Sequence, residues 1–368
     1  MIIKPMRIYI LDPGLQQKAG SNFDVVKKAI IFLKKQGYEL FILISKNYSK
    51  EVIIELEKYN VKVIPVFNVT PYNRFLFSSN IKIYIKMIRQ TILDLNNFKK
   101  KYGIADCIFW SMPMSPVQMI SNLFLNISKI NIFNIELTPQ NFSDLAVKCY
   151  MKFQKKFTQR NDILYLSRDD FTKTIFNKFL NISIERYPQH TDSYSKTFER
   201  KREKKFAVGI FGIQEIYKEE IFSNLIKKLH KLNCDVIIQD NKGLLKKRIK
   251  SNKKIFFFKY EKNISDVFKQ IDFGVYFFNP IKYKLLVSGI VNEAISFGLP
   301  MIIPKDNLAS ETQKKYNCEL DYNWKNFNEL FNKIDYTIKN FDVIRKSSIL
   351  ASQAWNKKEG TNKYFRKR

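Results

Sequence analysis

The stretch Val287-Ser288-Gly289-Ile290-Val291-Asn292-Glu293-Ala294-Ile295-Ser296-Phe297-Gly298-Leu299-Pro300, continued by Met301-Ile302-Ile303, reads as loop, helix, turn and buried strand. Gly289 opens a short helix with little side-chain bulk at its start, and Glu293 lies about one turn further on. Gly298 supplies the left-handed residue that ends such a helix. Pro300 forbids its resumption, and the apolar run after it is a short strand. A loop that brings a helix N-terminus and an early carboxylate to a strand's C-terminal edge suits a phosphorylated sugar. The backbone amides of Ser288, Gly289 and Ile290 can hold phosphate, and the Glu293 carboxylate can hold hydroxyls. The same residues also fit an ordinary helix-to-strand unit with a glycine stop, so the flanking chain has to decide.

The stretch is the last beat of a rhythm. Before it come strand FAVGIFG (206–212), a helix from Tyr217, strand CDVIIQD (234–240), strand KKIFFFKY (253–260), a short helix from Ile264 and strand FGVYFF (273–278). The first half repeats the alternation. Strand RIYIL (7–11) leads through a glycine-containing loop, Asp12 to Ser21, into a helix that Ser21 or Asn22 can cap and Gly37 stops. Strands ELFILIS, VKVIPVF, ADCIFW, KINIFNIE and NDILYLS follow, separated by helical stretches that include a long one over 80–102. Gly14 and Gly20 are six apart, so the first loop is not the dinucleotide fingerprint. Residues 184–194 are polar and aperiodic, and the charged run KTFERKREKK follows them. The pattern predicts an α/β protein of two Rossmann-like, doubly wound domains facing each other across a cleft. The predicted divisions are 1–185, a linker over 186–205, 206–340, and a C-terminal helix with basic tail over 341–368.

Length and composition agree. A chain of 368 residues exceeds what one hydrophobic core usually supports, and an apolar share of 45% is ample for packing. The N-terminal MIIKPMRIYIL lacks a signal-peptide layout, and no apolar run is long enough to span a bilayer. The cysteines 107, 149, 234 and 318 are scattered without a CxxC. With two histidines in the chain, the expectation is no metal and a reducing cytoplasmic compartment. A formal charge of +30 points to anionic partners, although part of the lysine excess fits the codon bias of an A+T-rich genome. Its cations are spread over many helices and no nucleic-acid-binding motif is present, so no nucleic-acid partner is expected. The helix over 80–102 carries Lys82, Lys86, Arg89, Lys99, Lys100 and Lys101. That face is either solvated or a surface that lies on anionic lipid.

The order of these segments resembles the group 1 glycosyltransferases of the GT-B fold, including those that build bacterial surface polysaccharides. Their donor domain opens with a strand, a glycine turn and a lysine before a helix, matched by Val208 to Gly212 and Lys218. Their helix with Glu-Ala, Gly-x-Pro turn and strand is matched by NEAISFGLPMII. Their interdomain proline, aspartate and aromatic resemble Pro188, Asp192 and Tyr194. SNFDVVKKAIIFLKKQGYELFILIS resembles their first helix and second strand. The chain departs from them in three places. Retaining members carry two glutamates seven residues apart, but Lys284, Leu285 and Leu286 occupy the zone of the first. Ile213 and Gln214 stand where a basic residue usually follows the glycine turn, and Glu136 stands where many relatives have histidine.

The resemblance implies an acceptor-side domain in the first half and a nucleotide-sugar donor domain in the second. It implies transfer of a sugar from a nucleotide-sugar to a polysaccharide or lipid-linked glycan, at the cytoplasmic membrane face, with an anionic membrane surface as a further partner. No cofactor is implied, because amides and basic side chains can hold the diphosphate. Lys218, then Lys284, then the Ser288–Ile290 backbone would contact it, with Gly212 at the turn and Glu261 near the base. Glu293 would bind ribose or sugar hydroxyls. Glu136, ending a strand of the acceptor domain, is either a general base or a loop acid capping a helix. Gly14 and Gly20 would let the first loop approach the acceptor or the donor phosphates. With the first glutamate missing, the stereochemical outcome is open. A nucleotide-sugar epimerase or hydrolase of the same fold, and an inactive scaffold subunit, stand as alternatives.

Overall fold

A computed structural model describes residues 6–18, 21–70, 81–113, 116–124, 127–135, 162–167, 170, 173–174, 184–186, 205–212, 219–240, 243, 245–246, 255–258, 264–278 and 288–359. They form two units, the first running to Arg186 and the second from Lys205. In each, near-continuous apolar runs become inner strands buried on both faces, such as RIYILD (7–12), ELFILIS (39–45) and AVGIF (207–211), which is how parallel strands read.

The first unit is built on β1 (Arg7–Asp12), β2 (Glu39–Ser45), β3 (Lys62–Phe67), β4 (Ala105–Pro113), β5 (Ser128–Ile135), β6 (Ile163–Ser167) and β7 (Ile184–Arg186). Their order across the sheet is β3-β2-β1-β4-β5-β6-β7, and every recorded pairing is parallel. Successive side chains of β1 go to opposite faces. Ile8 and Ile10 meet Val26 and Leu33 of α1 (Ser21–Lys35) and Val52 and Leu56 of α2 (Lys50–Glu57). Tyr9 goes the other way, its ring edge-on to Phe98 of α3 (Ile81–Tyr102) at 5.0 Å. α4 (Pro116–Leu123) follows β4. β7 falls in the polar passage that the sequence pattern leaves without a strand. At three residues it is too short to display an alternation, and it forms by pairing with β6.

The second unit holds β8 (Ala207–Phe211), β9 (Asp235–Gln239), β10 (Ile255–Phe258), β11 (Phe273–Tyr276), β12 (Met301–Pro304) and β13 (Asp321–Tyr322), in the order β10-β9-β8-β11-β12-β13. Its helices are α5 (Glu219–Lys231), α6 (Ile264–Phe268), α7 (Gly289–Phe297), α8 (Leu308–Lys315), α9 (Phe327–Lys339) and α10 (Phe341–Glu359). Val208 and Ile210 of β8 pack with Leu225 of α5 and Leu330 and Ile334 of α9. Phe211 packs on the opposite face with Phe268 of α6, Ala294 of α7 and Trp355 of α10.

Both sheets share one topology. The strand order runs outward from β1 in one direction and resumes at β4 in the other, and β8 and β11 repeat this in the second unit. In such open sheets the chain leaves the two adjacent strands toward opposite faces, which opens a crevice beyond their C-terminal ends where ligands bind. Asp12 and Ser111 mark that point in the first unit, Gly212 and Phe277 in the second.

Candidate functional site

In the second unit, from Ser288 onward, the sequence stretch that decides the fold forms the helix, turn and strand it was expected to form. Ser288 is the N-cap of α7, and its hydroxyl oxygen accepts the Val291 amide at 3.3 Å. The amides of Gly289 and Ile290, first and second in the helix, have no intrahelical acceptor by geometry. Gly289 is exposed, and a Cβ built there would meet nothing within 4 Å. Glu293, four residues on, shares that face and is half-buried, whereas Val291, Asn292 and Ala294 to Pro300 are all buried. The accessible side of α7 therefore offers amides, open space beside a glycine, and one carboxylate. Such a surface can receive an anionic group and hydroxyls together.

α7 is held from behind. Gly298 ends it in the left-handed conformation, φ 76°, and its amide returns to the carbonyls of Ala294 and Ile295. α10 takes up the remaining acceptors: Arg345 donates to the Gly298 carbonyl, and Asn356 Nδ2 donates to the Ser296 carbonyl at 3.1 Å. The Ser296 hydroxyl in turn donates to Asn356 Oδ1 at 2.8 Å. Arg345→Met keeps the aliphatic stem and deletes this donor. It is expected to lower stability by about 1.5–3 kcal/mol, the worth of a hydrogen bond that involves a charged group, measured by chemical denaturation.

Gly212 lies at the end of β8 with φ +76°. A Cβ there would run into the Phe277 carbonyl oxygen and, at 2.6 Å, the Tyr276 ring. The glycine is needed for the close approach of β8 and β11 whether or not a ligand binds. Lys218, Glu261 and Lys284 of the expected donor site, Glu136 and Gly20 of the acceptor side, and Asp192 all lie outside the described residues.

In the first unit, β1 ends on Asp12, which the sequence reading placed in the loop and gave no role. Its side chain is fully buried. Oδ2 accepts the Ser111 hydroxyl at 2.9 Å, while Oδ1 accepts the Gly14 amide at 2.9 Å and the Asn22 side-chain amide at 3.2 Å. Asn22, expected as a helix cap, spends its amide on this carboxylate. Burial dominates its titration and raises its pKa to about 6, with the hydrogen bonds from Ser111, Gly14 and Asn22 opposing the rise. No sequence-local signal marks Asp12, because Ser111 is 99 residues away.

No protein-family profile matches the chain. No curated protein matches it by sequence. Solved structures do match by fold. A glycosyltransferase from Rickettsia africae superposes with a TM-score of 0.67 at 13% identity, over 97% of this chain and 95% of that one. Anabaena Alr3699/HepE, solved with UDP and glucose, gives 0.65 at 14% identity over 97% and 96%. WaaG, a glycosyltransferase involved in lipopolysaccharide biosynthesis, gives 0.62 at 11% identity over 96% of each chain. The chain has the fold of GT-B glycosyltransferases.

Proposed function

We propose that this chain is a glycosyltransferase that moves a sugar from a nucleotide-sugar donor to a polysaccharide or lipid-linked glycan acceptor at the cytoplasmic face of a membrane. The observation that carries the reading is the accessible side of α7, with Gly289 and Glu293 one turn apart beyond the β8–β11 switch point. Departure of a nucleoside diphosphate develops negative charge that fixed amides and cations can offset. In this reading the amides at the start of α7 and the basic side chains Lys218 and Lys284 share the diphosphate, with Gly212 at the turn. Glu293 accepts hydroxyls, Glu261 lies near the base, and the loop of Gly14 and Gly20 meets the acceptor, with Glu136 as its general base. No metal or other cofactor is called for in that scheme. The UDP and UDP-glucose in the HepE structures favour a uridine nucleotide.

The membrane part of the proposal rests on α3. Among its described side chains, Lys86, Arg89, Lys100 and Lys101 are exposed together with Ile85 and Leu93, at 52% and 54%. Its one acid, Asp94, is turned inward, accepting the Asn68 amide at 2.8 Å and Gln90 Nε2 at 2.9 Å. Cations interleaved with apolar side chains suit an anionic bilayer surface. Among the described residues no helix is long and apolar enough to cross a membrane.

One series of measurements tests both parts. Calorimetric titration with UDP-, GDP-, CMP- and dTDP-sugars, with nucleotide release followed alongside, should find at least one donor. Binding of none would sink the enzyme reading and leave the scaffold alternative. A donor isomerised without acceptor would turn it into an epimerase. Co-sedimentation should favour phosphatidylglycerol vesicles over phosphatidylcholine. Reversing Lys86 and Arg89 to glutamate should weaken that binding by at least about tenfold, at roughly 1 kcal/mol per basic residue. Equal binding to both lipids would remove the membrane from the proposal.

A further inference from the structure

We infer that Asp12 is a positioning residue that locks the β1–α1 loop across the switch point of the first unit, in the one conformation that receives the acceptor. The inference rests on the acceptor-side reading of that unit. It goes beyond it by naming what shapes the site.

The geometry is that of a lock. Leu11 of β1 and Trp110 of β4 are the last recorded pair in their ladder, and Asp12 and Ser111 come directly after them. The Ser111–Asp12 hydrogen bond therefore bridges the two strands just past their last paired residues, where β1 ends and β4 has two residues left. From there the carboxylate reaches forward to the Gly14 amide within its own loop and to Asn22 in the first turn of α1. Three chain segments converge on one side chain. Three further described residues of the loop are tied down as well. Leu15 is wholly buried, and its amide donates to the Asp12 carbonyl at 3.2 Å. The Gln16 carbonyl accepts the Ser49 amide at 2.7 Å, ahead of α2. Lys18 pairs with Glu55 of α2 at 3.1 Å. A loop meant only to connect β1 with α1 has no need of a buried carboxylate, which costs free energy unless its oxygens are fully engaged. A loop that must hold one shape at a ligand-binding edge does.

Asp12 does not itself touch a substrate. It is fully buried and both its oxygens are occupied from within. Its role reaches the acceptor through the backbone of Gly14, which is half-buried at the loop's turn.

The test uses the full chain with Asp12→Ala, Asp12→Asn and Ser111→Ala. Hydrogen exchange read by mass spectrometry follows residues 12–18. Steady-state kinetics separate the acceptor KM from the donor KM. Asp12→Ala removes the acceptor for three donors, Ser111, Gly14 and Asn22, and should raise exchange in the loop by roughly tenfold or more, without raising it in β2 or β6. The acceptor KM should rise by a similar factor while the donor KM holds. Asparagine keeps an oxygen for Gly14 and Asn22 and should restore both readouts. Ser111→Ala, which leaves the carboxylate one donor short, should fall between and carries the test if the alanine variant does not fold. Wild-type exchange in the loop of Asp12→Ala, or of Ser111→Ala in its place, would overturn the lock. A loosened loop with acceptor and donor KM moving together would overturn its link to the acceptor. If no donor is ever turned over, the exchange measurement still decides the lock, and the failure belongs to the transferase reading.

Discussion

If Glu293 holds donor hydroxyls as proposed, Glu293→Gln is expected to lower sugar transfer by at least about a hundredfold, because it removes a charge-assisted acceptor from that point. Glutamine has nearly the same shape, so α7 should form unchanged. The helix is secured by Ser288 at one end and by Gly298, Arg345 and Asn356 at the other. Its apolar side, including Ala294, Ile295 and Phe297, is buried in the core and untouched by the substitution. The unfolding temperature should therefore stay close to that of the parent while turnover falls. Full activity in the variant would remove Glu293 from the site. Lost activity with a large drop in unfolding temperature would mean that the carboxylate serves the helix and not the ligand. The expected effect is large because no second carboxylate occupies positions 284 to 286, where the retaining enzymes that the sequence resembles carry the first of their pair.

What could be read in the sequence and what could not divides by the distance over which the cause acts. The α7 stretch was legible because every determinant is local. A helix-opening glycine, a left-handed glycine and a proline follow each other within twelve residues, and each acts on its own backbone, whereas the Ser288 cap came to light only in the structure. The parallel strands were legible because burial on both faces leaves unbroken apolar runs such as ELFILIS. β7 was not, since three residues take their form from β6. Gly212 was read as a turn residue near the donor, yet its immediate physical cause is the Phe277 carbonyl, 65 positions later. The clamp on α7 is likewise remote, joining Ser296 to Asn356 across 60 residues. Asp12 is the sharpest case. An Asp-Pro-Gly triplet after a strand reads as an ordinary turn, and only the fold brings Ser111 and Asn22 to the same carboxylate.

That carboxylate should also leave a signature in the pH dependence of stability. Its pKa is about 6 in the folded protein, against an ordinary value of 3.8, and burial is the cause. Between those two values the folded state holds a proton on Asp12 that the unfolded state has released. Stability from this group is therefore present at low pH and is lost as pH rises through about 6. The full difference is about 3 kcal/mol, from 1.36 kcal/mol per pH unit of displacement. Asp12→Asn carries no such proton. Its unfolding free energy, subtracted from that of the parent at each pH, largely cancels the acid-induced repulsion that a strongly positive net charge, +30 in the parent, imposes on both. The difference should swing toward the parent by up to about 3 kcal/mol between pH 7.5 and pH 4 in urea denaturation. Ser111 makes the protonated state tolerable. A neutral Asp12 can donate to the Ser111 oxygen, and the Ser111 hydroxyl can then turn to the Leu11 carbonyl, 3.3 Å away. The loop should thus stay locked in both charge states while the stability changes. A flat difference curve would mean that Asp12 titrates as an ordinary surface carboxylate and is not sealed at the switch point.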